Sequence, residues 1–493
     1  MKELCRNKKN IILVVLFIGY LIFNGIMLAG HELWRDEANV WLFARDASPV
    51  QLLREIKYQG HPCLWYFMVM PFAKLGLPFA MMSVLSFIIM AAGALVFVWK
   101  APFHPVTKAV CLFSPIFSYY YSVVARNYCL IALLLILLAC FYEKRNEKPV
   151  LYGLLLGLLV QADTIALVAA GLISCMWLWE CAAKSIREKK WEPLFQAAKG
   201  LWIPLFSLLF WILQFYQVSD SPEYHMRVLS LGEMLTEIKY FSYHILTRMT
   251  GQGKEFDLLL IIIFVVAGIL LSVKKKNFWP MIVMAGAFLF EVVFSIMVYQ
   301  LHIWHYITIC FTLIWGFWLL CRQDKVQLVG RILAEGLLVL FGITMFIRWN
   351  APEENSSMVN AFTGLYSDGV HVADYIAENI APESLILSTD VSEASTVQAY
   401  LGKAYGFYYA GSLEKATYAK YNEEQSQPVT YEELLAGIKE AFPNEEQVYL
   451  LKSPANCIQD VPEDAEESWE ICYQTKEKTA RGEEYTLYRI TLP

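Results

Sequence analysis

Long apolar blocks dominate this chain, near residues 11–29, 62–76, 78–99, 109–142, 150–180, 200–216, 257–273, 279–299, 305–320 and 330–347. A bilayer core is crossed by about 20 apolar residues in a helix. Surface helices of water-soluble proteins instead alternate apolar and polar faces. Only 17% of the 493 residues are charged and 57% are hydrophobic, against about 25% charged in soluble domains. Disordered chains, nucleic-acid binders and ordinary cytosolic enzymes are excluded. The pattern fits a polytopic α-helical membrane protein.

Charge divides the chain. The formal net charge is −6, yet residues 351–493 hold 25 Asp and Glu against 9 Lys and Arg, while the first 350 hold 21 against 31. A basic apolar part suits a bilayer with Lys/Arg-rich cytoplasmic loops, and an acidic mixed part suits water. We therefore divide the chain into a transmembrane domain, 1–349, and a C-terminal soluble domain, 350–493. Helix-like pieces at 371–380, 391–401 and 430–441 alternate with strand-like pieces at 384–388, 404–409, 447–451 and 484–491, which reads as a small α/β domain. Eleven cysteines show no CxxC pair and no zinc-like spacing. Cys457 and Cys472 are the two in the water-soluble part, and the sequence favours their staying apart.

Lys2, Arg6, Lys8 and Lys9 precede the first block, with no cleavage site after it. An uncleaved helix with a cytoplasmic N-terminus is expected. Basic connections at 144–148, 184–190, Lys274–Lys276 and Arg322–Lys325 are placed inside. The 31 residues of 150–180 must then enter and return as two short helices, turning near Gln161-Ala162-Asp163-Thr164. Between 62 and 142 two arrangements are open: either 62–76 spans and 109–125 lies at the outer surface, or 62–76 is re-entrant and 109–124 spans. Lys100 and Lys108, as an inside loop, favour the second. Both give about eleven transmembrane helices and an extracytoplasmic C-terminal domain.

The first outer loop, 30–60, is the most informative. Asp36 and Glu37 follow the first helix closely, an amphipathic stretch (Ala38, Trp41, Leu42, Ala44) comes next, and Gly60-His61-Pro62 opens an aromatic-apolar run. An isolated acidic pair is most simply the charge of a helix start. In this order the pieces resemble glycosyltransferases of the GT-C fold, in particular the family-39-like group of protein O-mannosyltransferases and lipid A aminoarabinose transferases. In that group the first loop carries a catalytic acidic residue, and a His-Pro-Pro-Leu-like motif opens the next helix. Here the motif reads His61-Pro62-Cys63-Leu64, without its second proline. The resemblance covers about 350 residues and favours the first of the two arrangements.

The resemblance implies that Asp36 is the base, taking the acceptor hydroxyl's proton as the glycosidic bond forms. Glu37 is the second choice, because neighbouring helical residues point about 100° apart. Asp46 reads as a solvated charge. Arg126, after the aromatic run Tyr119-Tyr120-Tyr121, matches an arginine of the family pattern and suits a lipid-linked phosphate through its forked donors. The plainer alternative for Arg126 is a snorkelling arginine at the interface. Asp163 is either near sugar or acceptor, or a hydrated turn. His302 and His305 share a helix face, and the family implies a position facing the lipid phosphate. No carboxylate or cysteine completes a metal set with them, so no metal site is assigned. No cofactor is expected; an Asp-Glu pair offers at most weak divalent-cation binding. The second outer loop, 217–256, with Glu223, His225, Arg227, Lys239, His244, Arg248 and Lys254, reads as a cover with Gly251 and Gly253 allowing movement.

The expected function is transfer of a sugar from a polyprenyl-phosphate donor to a hydroxyl on a protein, lipid or cell-wall polymer, at the outer face of the cell membrane. Two alternatives stand beside it. A transporter or flippase of lipid-linked sugars would show paired repeats and mid-membrane charges, and the sequence has no such symmetry. A non-catalytic cell-envelope assembly protein would have no need of Asp36 and Arg126.

Overall fold

The computed structural model describes residues 2–216, 227–273, 276–322, 327–350, 358–359, 365–421, 425 and 427–492. Glu223 and His225 of the second outer loop, and Lys274, Lys275 and Lys325 of the basic connections, lie outside the described residues. Among the described residues, eight helices are long and apolar enough to cross a membrane. They are α1 (Lys2–Ala29), α5 (Met81–Lys100), α9 (Leu167–Glu188), α10 (Glu192–Phe215), α12 (Lys254–Val273), α13 (Trp279–Met297), α14 (Ile303–Cys321) and α15 (Leu328–Trp349). Three shorter apolar helices are α4 (Leu64–Lys74), α7 (Tyr128–Phe141) and α8 (Pro149–Ala162), of 11, 14 and 14 residues. All three are shorter than the roughly 20 residues a crossing needs, so among the described residues eight spans stand against the eleven expected. The chain is a multi-pass membrane protein with a small C-terminal sheet domain.

Two compact units divide the chain. The first joins residues 1–26 to the helices from 85 to 351, and the second joins residues 27–84 to the tail. The tail is thus not set apart by a single cut near 350. The first outer segment belongs with it, because its backbone is bonded to the tail at several points described below.

In the first unit, burial sorts the helices. The apolar stretch of α14 is 83% buried, whereas those of α1 and α10 are 22% buried, so α14 is an inner helix and the other two face lipid. The block 109–142 is broken. Helix α6 (Pro105–Phe113) ends at Ser114-Pro115, as expected for a residue before proline, and residues 114–127 run without helix until α7. They are almost wholly buried, so their backbone polar groups need partners. Asn24 of α1 supplies one and ties down two side chains as well: Tyr119 N–H (3.3 Å) and Ser122 Oγ–H (2.6 Å) donate to its Oδ1, and its Nδ2 donates to Ser118 Oγ (3.1 Å).

The hairpin in 150–180 is present, turning at Asp163 between α8 and a 3-10 turn at Thr164–Ala166. Its second arm, α9, is 22 residues long and carries on to Glu188, so it is a full span rather than a short helix. Helices α8 and α10 approach at glycines. A Cβ on Gly153 would stand 2.1 Å from the Gly200 carbonyl oxygen, and one on Gly200 would stand 2.3 Å from the Pro149 oxygen. Gly153 and Gly157 are four residues apart, the small-residue spacing of close helix pairs in lipid. Gly153→Val is expected to lower the chain's denaturation midpoint in detergent, by about 1–3 kcal/mol of stability or more because backbone cannot yield as a side chain does. Gly171→Ala, at a position with nothing within 4 Å, is the matched control and should leave the midpoint unchanged.

Within 217–256, residues 231–250 form helix α11 (Leu231–Thr250), opened by a capping box in which Ser230 N–H donates to Glu233 Oε2 (2.8 Å). Gly251 closes it at φ +69°, and a Cβ there would lie 2.2 Å from Arg348 Cδ. This glycine is a helix cap held against α15, where the sequence suggested a hinge.

The tail forms a six-stranded sheet in the order β3-β2-β1-β5-β8-β7, with β1 (Ile386–Ser388) parallel to β2 (Phe407–Tyr409) and to β5 (Gln447–Lys452). The remaining strands are β3 (Lys415–Ala416), β7 (Glu470–Gln474) and β8 (Thr486–Thr491), beside a small parallel pair, β4 (Val429–Thr430) and β6 (Ile458–Gln459). Helices α16 (Gly369–Asn379) and α17 (Val391–Leu401) pack on one face through Val372, Ile376, Ala394 and Val397. Helix α18 (Tyr431–Ala441) packs on the other through Leu434 and Ile438, and α19 (Glu463–Ser468) is a short connector. The α/β reading of the sequence is borne out. Cys457 and Cys472 are free thiols.

Candidate active site

The residues singled out from the sequence divide between the two units: Asp36, Glu37 and His61 in one, and Arg126, Asp163, His302 and His305 in the other.

Helix α2 (Arg35–Asp46) begins where the sequence places the acidic pair, and it separates the two carboxylates. Glu37 is fully buried. It occupies the third helical position and accepts Trp34 N–H at 3.1 Å, half of a capping box. Its two oxygens also lie 3.3 and 3.1 Å from His31 Nε2. Asp36 is half-buried, with Arg35 Nε 3.6 Å from its Oδ1. Asp36 is therefore the more exposed of the two carboxylates, whereas the Glu37 carboxylate is engaged in starting the helix. Helix α3 (Pro49–Glu55) follows, and α2 packs on α4, whose entry carries His61. Gly60 takes φ +70° there, a conformation glycine adopts at little cost. The turn is anchored beside α2: Asn39 Nδ2 donates to Gln59 Oε1 (2.8 Å), while Gln59 Nε2 (2.7 Å) donates to the Ala419 carbonyl and Ala419 N–H (2.7 Å) to Asn39 Oδ1.

The other residues converge around Tyr128. Arg126, 8% exposed at the end of the irregular segment, has its guanidinium carbon 5.6 Å from the Tyr128 ring centre. His305 meets the same ring edge-on at 5.4 Å. His302 precedes α14 and its N–H donates to His305 Nδ1 (2.8 Å), which puts the proton of a neutral His305 on Nε2. Asn127 links Arg126 to the hairpin turn, donating to the Ala162 carbonyl (2.8 Å) and Asp163 Oδ2 (2.6 Å). Asp163 Oδ1 caps the 3-10 turn by accepting Ile165 N–H (2.8 Å). Asp163 is 1% exposed, a buried joint rather than a hydrated turn.

Three residues escaped the sequence reading. Glu291 of α13 is 2% exposed and its Oε1 accepts the Thr308 hydroxyl. An acid inside an apolar block was the available signal. His31 had none, since its partner Glu37 is defined only once α2 begins at Arg35. Glu483 in the tail had none either. Its Oε1 accepts Arg35 N–H (2.7 Å), and its Oε2 accepts the hydroxyls of Ser367 (2.6 Å) and Thr396 (3.1 Å). Among the described residues no three His, Cys, Asp or Glu side chains converge as a metal set.

Burial pushes the Glu483 carboxyl up to about 7, against the opposing pull of Ser367, Arg35 and Thr396. A carboxyl raised on folding binds its proton more tightly in the native state, so its contribution is complete below about pH 4.5 and is lost as pH rises through about 7. Denaturation midpoints of the detergent-solubilised chain should fall across this window, by up to about 3 kcal/mol at 1.36 kcal/mol per pH unit. Glu483→Gln should remove that component of the slope.

No family model matches the chain, and no curated protein matches it. Solved structures do. The crystal structure of ArnT from Cupriavidus metallidurans in the apo state is similar over 97% of each chain, at a TM-score of 0.55 and 12% identity. The crystal structure of that protein bound to undecaprenyl phosphate covers the same share at a TM-score of 0.44 and 11% identity. The fold is shared end to end with ArnT, the GT-C architecture expected from the first outer loop.

Proposed function

We propose that this protein is an integral-membrane glycosyltransferase that moves a sugar from a polyprenyl-phosphate donor to a hydroxyl acceptor at the outer membrane face. The N-terminus is then cytoplasmic and the tail extracytoplasmic. The observation that carries the reading is the likeness to ArnT over 97% of both chains, which includes the tail as well as the membrane helices.

The chemistry is what the resemblance implies, with these residues in its roles. Asp36 takes the proton of the acceptor hydroxyl as that oxygen bonds to the anomeric carbon. The bond from that carbon to the phosphate oxygen breaks, and its electrons leave with the lipid phosphate. No protein nucleophile is needed, and a single displacement inverts the anomeric centre. Arg126 meets the phosphate with forked donors, held by Tyr128 and, through Asn127, by Asp163. His302 and His305 are assigned to the phosphate and His61 to the acceptor, as the resemblance implies. Asp163 acts by fixing the arginine-bearing segment.

The test is incubation of the purified chain in lipid with a panel of polyprenyl-phosphate sugars. Release of polyprenyl phosphate with transfer or loss of the sugar is expected for at least one donor. Movement of intact donor across the bilayer without cleavage would overturn the reading in favour of a flippase. Neither cleavage nor movement would favour an assembly role.

A further inference from the structure

Doubly wound sheets bind ligands outside the carboxyl ends of their strands, at the point where successive crossovers leave in opposite directions. In the tail that point lies between β1 and β5. From β1 the chain crosses one face through α17 to β2, and it reaches β5 through α18 on the other face. The carboxyl end of β1 leads into Asp390, whose Oδ1 caps α17 by accepting Glu393 N–H (2.8 Å). The chain after β5 closes on this position, with Ser453 N–H donating to Thr389 Oγ1 (3.1 Å) and Ala455 N–H to Glu393 Oε2 (2.8 Å). A segment of the first outer loop lies beside it along α17. The Arg35 guanidinium is 3.7 Å from Glu393 Oε1 and acts electrostatically on Asp390, Glu393 and Glu483. The Arg35 carbonyl accepts the Ser395 hydroxyl (3.3 Å) and its N–H donates to Glu483 (2.7 Å). On the side preceding Arg35, Leu33 N–H donates to the Tyr400 hydroxyl (2.9 Å), and Glu32 Oε2 accepts the N–H groups of Tyr366 (2.6 Å) and Ser367 (3.1 Å). Helix α17 packs directly on α2.

We infer that the tail is the positioning element of the candidate base: Glu483 and Tyr400 fix the peptide from which Asp36 projects, and Glu393 holds the Arg35 side chain beside it. The inference rests on the transferase reading for its consequence, although not for the clamp itself. A buried carboxylate that accepts one backbone N–H and two hydroxyls is a rigid anchor. Arg35 and Asp36 are consecutive, so a shift in one carries the other. A misplacement of about 1 Å can cost a hundredfold in rate. Glu483, Glu393 and Tyr400 are thus positioning residues, acting through the loop rather than on substrate.

The experiment uses the full chain in lipid, with Glu483→Ala and Tyr400→Phe read by amide exchange and by kinetics on the donor identified in the panel. The Arg35 amide should lose protection in the first variant and the Leu33 amide in the second, while the amides of β1 and β5 keep theirs. In both variants kcat should fall about ten- to a hundredfold with the donor KM unchanged. Singles at Arg35→Gln and Glu393→Gln should lower kcat, and their double should be no worse than the lower single. Loss of protection across the sheet would show a merely structural role and overturn the proposal, as would opened amides with unchanged kcat. If the native chain turned over no donor, the transferase reading would fail, and the clamp would stand or fall on the exchange data alone.

Discussion

Asp36→Asn is expected to lower sugar transfer by about a hundred- to ten-thousandfold, the usual worth of a positioned general base, with donor binding and denaturation midpoint unchanged. The amide keeps the size of the side chain and cannot take the acceptor's proton. Glu37→Gln should behave differently, although the two residues are adjacent. Glu37 is buried against His31 and the start of α2, so its loss should first lower stability, by about 1–3 kcal/mol for a buried group left unsatisfied. Rate and midpoint measured together for each variant separate the roles. Equal rates in the native chain and Asp36→Asn would remove Asp36 as the base. A stability loss in Asp36→Asn as large as that in Glu37→Gln would return it to a helix-start charge.

The two carboxylates also show what a sequence can and cannot convey. That an acidic pair follows the first helix is visible, and so is the apolar stripe that makes the next residues a helix. Which acid is buried depends on where the helix begins, and Trp34 is an unusual residue to precede one. The broken block at 109–142 is partly legible, since Pro115 stops α6. The partner that lets the buried irregular segment persist is Asn24, about 95 residues earlier, and no local pattern points to it. Asp163 is legible as a turn in an apolar run, but its bond to Asn127 depends on the packing of α7 beside α8. The tail's elements could be read from alternating patterns, whereas its relation to residues 32–35 rests on contacts more than 300 positions apart. Local periodicity yields elements. It does not yield the long-range polar pairs that hold a site.

Arg126 tests the donor side. Arg126→Ala should weaken binding of polyprenyl phosphate, and raise the donor KM, by about ten- to a hundredfold, since a hydrogen bond to a charged group contributes about 1.5–3 kcal/mol. Arg126→Lys should recover only part, because an ammonium supplies the charge without the planar fork. Removing a buried guanidinium can also disturb residues 114–127, so the amides held by Asn24 are the internal check: protection at Tyr119 should be unchanged. Asn127→Ala probes the same segment from its other side. It leaves the guanidinium in place and cuts its tie to Asp163, so it should weaken donor binding less than Arg126→Ala does. Unchanged donor affinity in Arg126→Ala, with Tyr119 still protected, would make this arginine an interfacial residue and leave the phosphate to His302 and His305. Weakened binding in both arginine variants, in the order Ala then Lys, would require a forked contact that only a guanidinium makes.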